Sequence, residues 1–303
     1  MLARPLLLLA PLLLTSPLLP EPSLAGVQLA VTVDDIPWVH GAIAGGQGAG
    51  TDQLLAHLAG VPTTGFVVCD RVGEGQPVLA RWRAAGIELA NHHADHGDLQ
   101  KLGGDAWLAG ARSCHERLTA WGDAPRFFRY PYLRNGGTTD KRDAVRGVLT
   151  GELKQTIARV TVDNHEWKYA QLYSQALAAG DTARADALAA DYPGHMVRAV
   201  QHAVATADAK VGRPIPHVFL LHANTLNAHH LGTVLGELTK RGVEFVPLQK
   251  ALADPVYAVP DHYTGKGGIS WLYRIAPVTP SDGWTFENSE WQRLKDLFGS
   301  EPK

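Results

Sequence analysis

The sequence has almost no net charge and no long run of charges of one sign. Its 28 Lys and Arg residues against 30 Asp and Glu residues leave a net charge of −2. A protein dedicated to nucleic acid or to a membrane surface needs a basic patch, so we expect neither partner. Residues 41–50 are glycine-rich but lack the Gly-Lys-Ser/Thr ending of a phosphate-binding loop, and we interpret them as a mobile loop.

Cysteine is scarce, because Cys69 and Cys114 are the only two in 303 residues. Two cysteines in a chain of this length do not make a disulfide framework. Cys69 ends an apolar run that resembles a strand, and Cys114 lies on a helical pattern. We therefore expect two separate buried thiols rather than a bond.

The longest run of apolar residues is at the N-terminus. Residues 6–14 are almost wholly apolar, and the stretch ends near residues 23–25, where small residues occupy the two positions that a signal peptidase reads. Pro11 and Pro17 break the run, which is short for a bilayer span. We predict that residues 1–25 are a signal peptide. The protein would then be exported, periplasmic or secreted, with no membrane span after cleavage.

Segments with strand character alternate with helical segments along the rest of the chain, which predicts a parallel sheet or an α/β barrel. The predicted strands cover residues 27–33, 64–68, 87–90, 126–130, 156–162, 218–221 and 243–247. The predicted helices cover residues 51–58, 77–85, 105–120, 140–149 and 226–241, with two or three more between 166 and 211 that break near residues 191–194. Each polar cluster follows a predicted strand, at the strand ends where such folds build their sites.

The densest polar cluster is residues 92–98, with three histidines and two aspartates. His92 and His96 are four residues apart, so one helical turn would direct both imidazoles to the same point. Two imidazoles and one carboxylate form a common open site for a divalent metal. The best candidate for the carboxylate is the pair Asp34–Asp35, which ends the first predicted strand. The alternative is a polar loop with solvated side chains.

These residues resemble the motifs of a known enzyme family, the polysaccharide deacetylases of the NodB-homology type (carbohydrate esterase family 4). All five family motifs occur in their usual order, and each follows a predicted strand. They are Thr32-Val33-Asp34-Asp35, His92-His93-Ala94-Asp95-His96, Arg129-Tyr130-Pro131-Tyr132, Asp163-Asn164-His165-Glu166-Trp167 and Leu220-Leu221-His222. Each motif is short, but five in order are a specific signal.

The resemblance implies an α/β fold, a distorted (β/α)7-type barrel over residues 26–254. A helical insertion at about residues 168–212 would separate the fourth and fifth motifs, and residues 255–303 would form a C-terminal extension. The aromatic residues of that extension could stack on sugar rings, but we favour the interpretation that they pin it onto the barrel. They include Tyr257, Tyr263, Trp271, Tyr273, Trp284 and Trp291.

The resemblance also implies a divalent metal, most often zinc, held by Asp35, His92 and His96. A bound metal lowers the proton affinity of water and polarises the scissile carbonyl. By the same resemblance Asp34 is the general base. His222 is the general acid, since the pKa of histidine suits proton transfer near neutral pH.

Further roles follow from the same family pattern. Asp163 would orient and charge His222, and Arg129 would hold Asp34. The backbone N–H of Tyr132 would bind the oxyanion. A small apolar pocket for the acetyl methyl group would be lined by Trp167 and Leu220.

The chain departs from the family pattern at several positions. Ile36 and Pro37 stand where a glycine usually follows the acidic pair, and His93 replaces the Ser/Thr of the second motif. Glu166 replaces the second aspartate of the fourth motif. These changes bear on substrate choice more than on the metal site.

The leading hypothesis is metal-dependent removal of N-acetyl groups from an amino-sugar polymer or oligosaccharide outside the cytoplasm, so the expected partner is an acetylated glycan. The same attack by water would serve O-acetyl esters of a xylan-like polysaccharide. A non-catalytic carbohydrate-binding protein is a further alternative, although the catalytic residues of the family are retained. A metallo-β-lactamase-like site would use His93, Asp95 and His96, but Asn91 stands where its first histidine belongs.

Overall fold

The structure is a computed structural model that describes residues 23–275 and 285–299. Most of the predicted signal peptide and Trp284 lie outside the described residues. The strands are β1 Gln28–Ile36, β2 Thr63–Val67, β3 Glu88–Asn91, β4 Phe127–Phe128, β5 Thr156–Ile157, β6 His217–His222 and β7 Glu244–Phe245. The helices are α1 Gly46–Leu58, α2 Pro77–Ala84, α3 Gly104–Ala120, α4 Thr139–Gly147, α5 Glu166–Ala178, α6 Thr182–Val211, α7 Thr225–Lys240, α8 Leu248–Leu252 and α9 Thr285–Phe298.

The strands form one parallel sheet in the order β5-β4-β3-β2-β1-β6, and β7 pairs with the start of β1. The chain that follows β5 returns to β6, where Val162 pairs with Phe219. The backbone N–H of Val162 donates to the carbonyl of Val218 at 3.0 Å. The two ends of the sheet therefore meet, and this curled parallel sheet confirms the predicted (β/α)7-type barrel.

The central strands are buried along almost their whole length, as expected for a parallel sheet covered by helices. Every residue of β1 after Gln28 is buried, and β6 is buried from His217 to Leu221. Helices α1, α5, α6 and α7 pack against one another beside these two strands. Within the described ranges, no helix is both long and apolar enough to cross a membrane.

Two predictions about the helical segments are wrong. The predicted loop at residues 41–50 is partly helical, because α1 begins at Gly46. The predicted break at residues 191–194 lies inside α6, which continues through Pro193. The chain breaks instead at Gly180, whose φ is 70°, and Asp181 then caps α6. Pro193 has no N–H and cannot make the backbone hydrogen bond of a helix interior. Its side chain is buried with those of its neighbours, and this tertiary packing outweighs the lost hydrogen bond.

The prediction of two separate thiols is also wrong, because Cys69 and Cys114 form a disulfide. Cys69 follows β2, and Cys114 lies on the buried face of α3. The packing of α3 brings the two Cα atoms to 5.4 Å, which is within the usual range for a disulfide. The bond ties α3 to the end of β2.

Residues 255–275 pack onto the barrel, as the packing interpretation predicted. Trp271 is buried, and its backbone N–H donates to the carbonyl of Val160 in the barrel at 2.6 Å. Tyr257 and Tyr273 are buried as well. Helix α9 contacts α6 through Glu290, which accepts hydrogen bonds from His195 and Arg198 at 2.9 Å each. Burial acts to raise the pKa of Glu290, but these hydrogen bonds hold it below its ordinary range.

Candidate active site

The acidic pair lies at an irregularity in β1. Neighbouring residues of a regular strand point to opposite faces, which would separate two adjacent carboxylates. Here the register with β2 shifts between Val33 and Ile36, and Asp35 has a φ of 62°. The irregularity allows Asp34 and Asp35 to line the same cavity.

His92 and His96 follow β3 in an irregular loop, so the predicted helical turn is wrong. The two imidazoles still converge, because the loop takes a left-handed conformation at His96, where φ is 61°. Nε2 of His96 lies 3.3 Å from Oδ1 of Asp35, and Nε2 of His92 lies 4.0 Å from the same oxygen. The ligand atoms of the three side chains all lie within 4.8 Å of one another.

His93 braces this loop against α3. Its Nε2 donates to the carbonyl of Trp107 at 2.8 Å, and its Nδ1 accepts from the N–H of Gly97 at 3.1 Å. The ring lies against Gly110, where a Cβ would come within 2.3 Å of it. Because both ring nitrogens are used in these hydrogen bonds, His93 is not available as a ligand. This contradicts the metallo-β-lactamase-like alternative.

Asp35, His92 and His96 fit a divalent metal by the chemistry of their donor atoms. Nδ1 of His92 donates to the carbonyl of Arg129 at 2.9 Å, which leaves a lone pair on Nε2 for a metal. Nε2 lies 3.6 Å from Asp34 and 4.0 Å from Asp35. Burial lowers the pKa of His92 well below its ordinary value and that of His96 to about 4. Burial acts to raise the pKa of Asp35, but the basic groups around it, which are His96, His92, His222 and Arg71, lower it below its ordinary value. Two neutral imidazoles and one ionised carboxylate result.

Asp34 is held by a buried arginine. Nη1 of Arg129 lies 3.2 Å and 3.3 Å from the two carboxylate oxygens, and its Nε donates to the carbonyl of Ala158 at 2.7 Å. Burial raises the pKa of Asp34 to about 6, against the lowering effect of Arg129. A carboxylate with this pKa suits a general base near neutral pH.

His222 ends β6 directly beside Asp34, its partner in the register of β1 and β6. Nδ1 of His222 donates to Oε2 of Glu166 at 2.7 Å, and Oε1 of Glu166 accepts from the side-chain amides of Asn224 and Asn227 at 2.5 Å and 2.6 Å. Burial alone would lower the pKa of His222, but Glu166 and the two aspartates raise it to about 9. The imidazole is therefore protonated at neutral pH.

The structure corrects the predicted partner of His222, which is Glu166 and not Asp163. The turn into α5 explains the difference, because His165 has a φ of 55° and places Glu166 in the first turn of the helix. Asp163 remains in the same cavity, where burial raises its pKa to about 6 against the lowering effects of His222 and Arg129. The fourth motif contains both acids, and the choice between them was the error.

The other predicted site residues converge on one cavity of about 360 Å³. It is lined by Asp34, Asp35, His92, His96, Tyr132, Asp163, Trp167, Leu220 and His222. Arg129 is the predicted site residue that does not line this cavity; it contacts Asp34 from the buried side. Sequence analysis missed five further residues of the lining, which are His40, Leu133, Arg134, His165 and Gly268. It also missed Arg71, whose Nη1 donates to Asp35 at 3.0 Å. His165 lies within a motif and could have been found, whereas nothing in the sequence indicates Gly268.

Tyr132 lies in a tight turn that the C-terminal extension supports. Its φ is 58°, and its ring meets the ring of His96 edge-on at 4.4 Å between centroids. Gly268 packs directly on this turn, because a Cβ at that position would lie 1.8 Å from the carbonyl oxygen of Tyr132. The extension is thus part of the cavity wall.

Comparison with known proteins identifies one family model and several similar folds. Residues 25–148 match the family model described as polysaccharide deacetylase. The fold resembles that of the peptidoglycan deacetylase PdaC from Bacillus subtilis, at 20% identity over 77% of this chain and 92% of that chain, with a TM-score of 0.50. A family 4 carbohydrate esterase from Streptomyces lividans, solved with acetate, is 19% identical over 75% of this chain and 96% of that chain, with a TM-score of 0.50.

A third similar structure is a CE4 family pseudoenzyme from Bacillus anthracis. It is 16% identical over 74% of this chain and 65% of that chain, with a TM-score of 0.52. No curated protein matches the sequence. At these identities the structural likeness establishes the fold alone.

Proposed function

We propose that this protein, which contains a polysaccharide deacetylase domain of the carbohydrate esterase family 4 type, is a metal-dependent hydrolase. It would remove N-acetyl groups from an amino-sugar polymer or oligosaccharide outside the cytoplasm. The observation that supports this most directly is the convergence of the five family residues on one cavity: Asp34, Asp35, His92, His96 and His222.

In this proposal Asp35, His92 and His96 hold the metal. Their two imidazoles and one carboxylate suit Zn²⁺. When bound, such a cation lowers the pKa of water and polarises the acetyl carbonyl.

Asp34 acts as the general base. Its carboxylate takes a proton from the attacking water, and Arg129 holds it in place at 3.2 Å. With a pKa of about 6, Asp34 is ionised at neutral pH and still basic enough to accept that proton.

His222 acts as the general acid. Glu166 holds Nδ1 by a hydrogen bond of 2.7 Å, so the proton for the leaving nitrogen comes from Nε2. The oxyanion accepts a hydrogen bond from the N–H of Tyr132. Asp163 adds negative charge near His222 and Arg129, since both lower its pKa.

The shape of the cavity supports an acetylated sugar as the substrate. Its volume is about 360 Å³, at the lower end of the range for small-molecule pockets. Trp167 and Tyr132 are 36% and 53% exposed, so both rings can contact a sugar. Leu220 is buried beside Trp167 and supplies an apolar wall for the acetyl methyl group.

One sequence prediction and one structural observation support action outside the cytoplasm. The predicted signal peptide would direct export, and a disulfide between Cys69 and Cys114 is typical of proteins in an oxidising compartment. One protein of similar fold is a peptidoglycan deacetylase, which makes bacterial cell-wall glycan a candidate substrate.

The test is acetate release by the purified protein, stripped with chelator and reloaded with Zn²⁺. N-acetylglucosamine oligomers and acetylated xylan are offered in parallel. We expect release from the oligomers, and an Asp34→Asn variant should lose it by about 10²–10⁴-fold while still binding Zn²⁺. His92→Ala should lose Zn²⁺ binding as well.

Two outcomes would contradict the proposal. Release from xylan alone would identify an O-acetyl esterase. No release from either substrate by the Zn²⁺-loaded protein would favour a non-catalytic role, as in the pseudoenzyme of similar fold.

A further inference from the structure

A second, smaller cavity lies between the barrel and the C-terminal extension. Its volume is about 40 Å³, and Leu133 lines both this cavity and the larger one. The barrel contributes Tyr130 and Arg159 to its wall, and the extension contributes Ile269 and Arg274. A water needs about 10–15 Å³ by this measure, so the cavity has room for a small polar or ionic ligand.

The charges around this cavity do not balance. The buried carboxylate of Asp261 faces three guanidinium groups, those of Arg274 at 3.4 Å, Arg142 at 3.6 Å and Arg159 at 3.8 Å. Only Arg142 has a second carboxylate among the described residues, at 3.3 Å on the surface residue Asp143. Asp143 also pairs with Arg146 at 3.3 Å, so four guanidinium groups share two carboxylates. An excess positive charge in a buried region is costly unless it is paired.

Two donors at the cavity have no acceptor within the described part of the chain. They are Nη1 of Arg274 and the hydroxyl of Tyr130. The two residues are only 4% and 7% exposed. Buried donors without a partner are rare in folded proteins, and a charged one is especially unfavourable. One kind of ligand would satisfy both donors and balance the excess charge, which is a hydrogen-bond acceptor with a negative charge.

We infer that this cavity is a binding site for a small monovalent anion of the chloride class. The anion would accept hydrogen bonds from Arg274 and Tyr130 and balance the excess positive charge. A water molecule could satisfy the two donors but would leave the charge unbalanced. Since the wall comes from both parts of the chain, the anion would hold the extension to the barrel. This inference does not depend on the proposed deacetylase activity.

The first test is thermal unfolding of the full chain, dialysed free of chloride. Chloride is added and compared with gluconate, an anion too large for the cavity, at the same ionic strength. Ligand at about ten times its Kd stabilises the folded state by about 1.4 kcal/mol, which raises Tm by about 2 °C in a protein of this size. We expect that rise with chloride alone. No rise, or the same rise with gluconate, would overturn the inference.

Matched variants connect the effect to the site. Arg274→Gln removes the unpaired guanidinium and should abolish the chloride-dependent rise in Tm. Arg213→Gln removes a surface partner of Asp254 and should leave the rise unchanged. If Arg274→Gln does not fold, Tyr130→Phe removes only the hydroxyl and should reduce the chloride effect. A full chloride response in the variant that is measured would overturn the inference.

Diffraction gives a direct readout. Crystals soaked in bromide should show an anomalous peak between Tyr130 and Arg274. Density of the size of a water without an anomalous peak would show that the cavity is only hydrated, and would also overturn the inference.

Discussion

The pairing of Glu166 with His222 makes a prediction that separates charge from shape. Glu166 is fully buried and receives hydrogen bonds from His222, Asn224 and Asn227. A Glu166→Gln variant keeps the size of this side chain and removes its negative charge. Because Glu166 is the chief group that raises the pKa of His222 against burial, the variant should lower that pKa.

The expected size of the effect follows from the pKa of His222, which is about 9 in the folded protein. If it returns to the ordinary histidine value of about 6.5, the protonated fraction at about pH 8 falls roughly 30-fold. At about pH 6 the same fraction changes by less than about twofold. The loss of kcat/KM should therefore be large at alkaline pH and small at acidic pH, because His222 must be protonated to act as the general acid.

The assay is the pH profile of kcat/KM for acetate release, with NMR titration of the His222 ring as a readout that does not need activity. Glu152→Gln is the matched control, because Glu152 pairs with Arg112 on the surface. We expect the basic limb of the profile to move to lower pH in Glu166→Gln alone. An equal loss at every pH, or an unchanged His222 pKa, would refute the assignment of Glu166 as the residue that charges His222.

Two further predictions concern other parts of the chain. Gly268→Ala places a Cβ 1.8 Å from the carbonyl oxygen of Tyr132, so the turn that contains Tyr132 must move. The kcat for acetate release should therefore fall about tenfold or more. The affinity for Zn²⁺, measured by calorimetry, should not change. Glu290→Gln should lower the free energy of unfolding by about 1–3 kcal/mol at neutral pH. The pKa of Glu290 is lowered in the folded state, so its stabilisation is present above about pH 4.3 and is lost as the pH falls through the lowered value.

Matched controls exist for both variants. Gly73→Ala adds a Cβ in open space, so it should leave kcat unchanged. Glu237→Gln removes only a surface partner of Lys240 and should change Tm little. An unchanged kcat in Gly268→Ala would show that the extension does not position Tyr132. A difference in Tm between wild type and Glu290→Gln that does not narrow below about pH 4 would contradict the charge argument.

Much of the site could be predicted from the sequence because of how parallel strands meet. Asp34, His92 and His222 each follow a strand-like run, and the carboxyl ends of parallel strands lie at the same edge of a sheet. The sequence therefore predicts that these residues, far apart in the chain, lie close together. The predicted local conformation was wrong in one case, because His92 and His96 converge through a loop with a left-handed residue and not through a helical turn.

The family resemblance implied the barrel. The sequence by itself determined the alternation of strands and helices and the residue types gathered at the strand ends. These features depend on periodicity and on chain order, both of which are local. Only the tertiary structure decided that Glu166 holds His222, that Cys69 bonds Cys114, and that Gly268 supports the turn of Tyr132. Each of these contacts depends on the distance and angle between elements remote in sequence, which packing sets and local pattern does not encode.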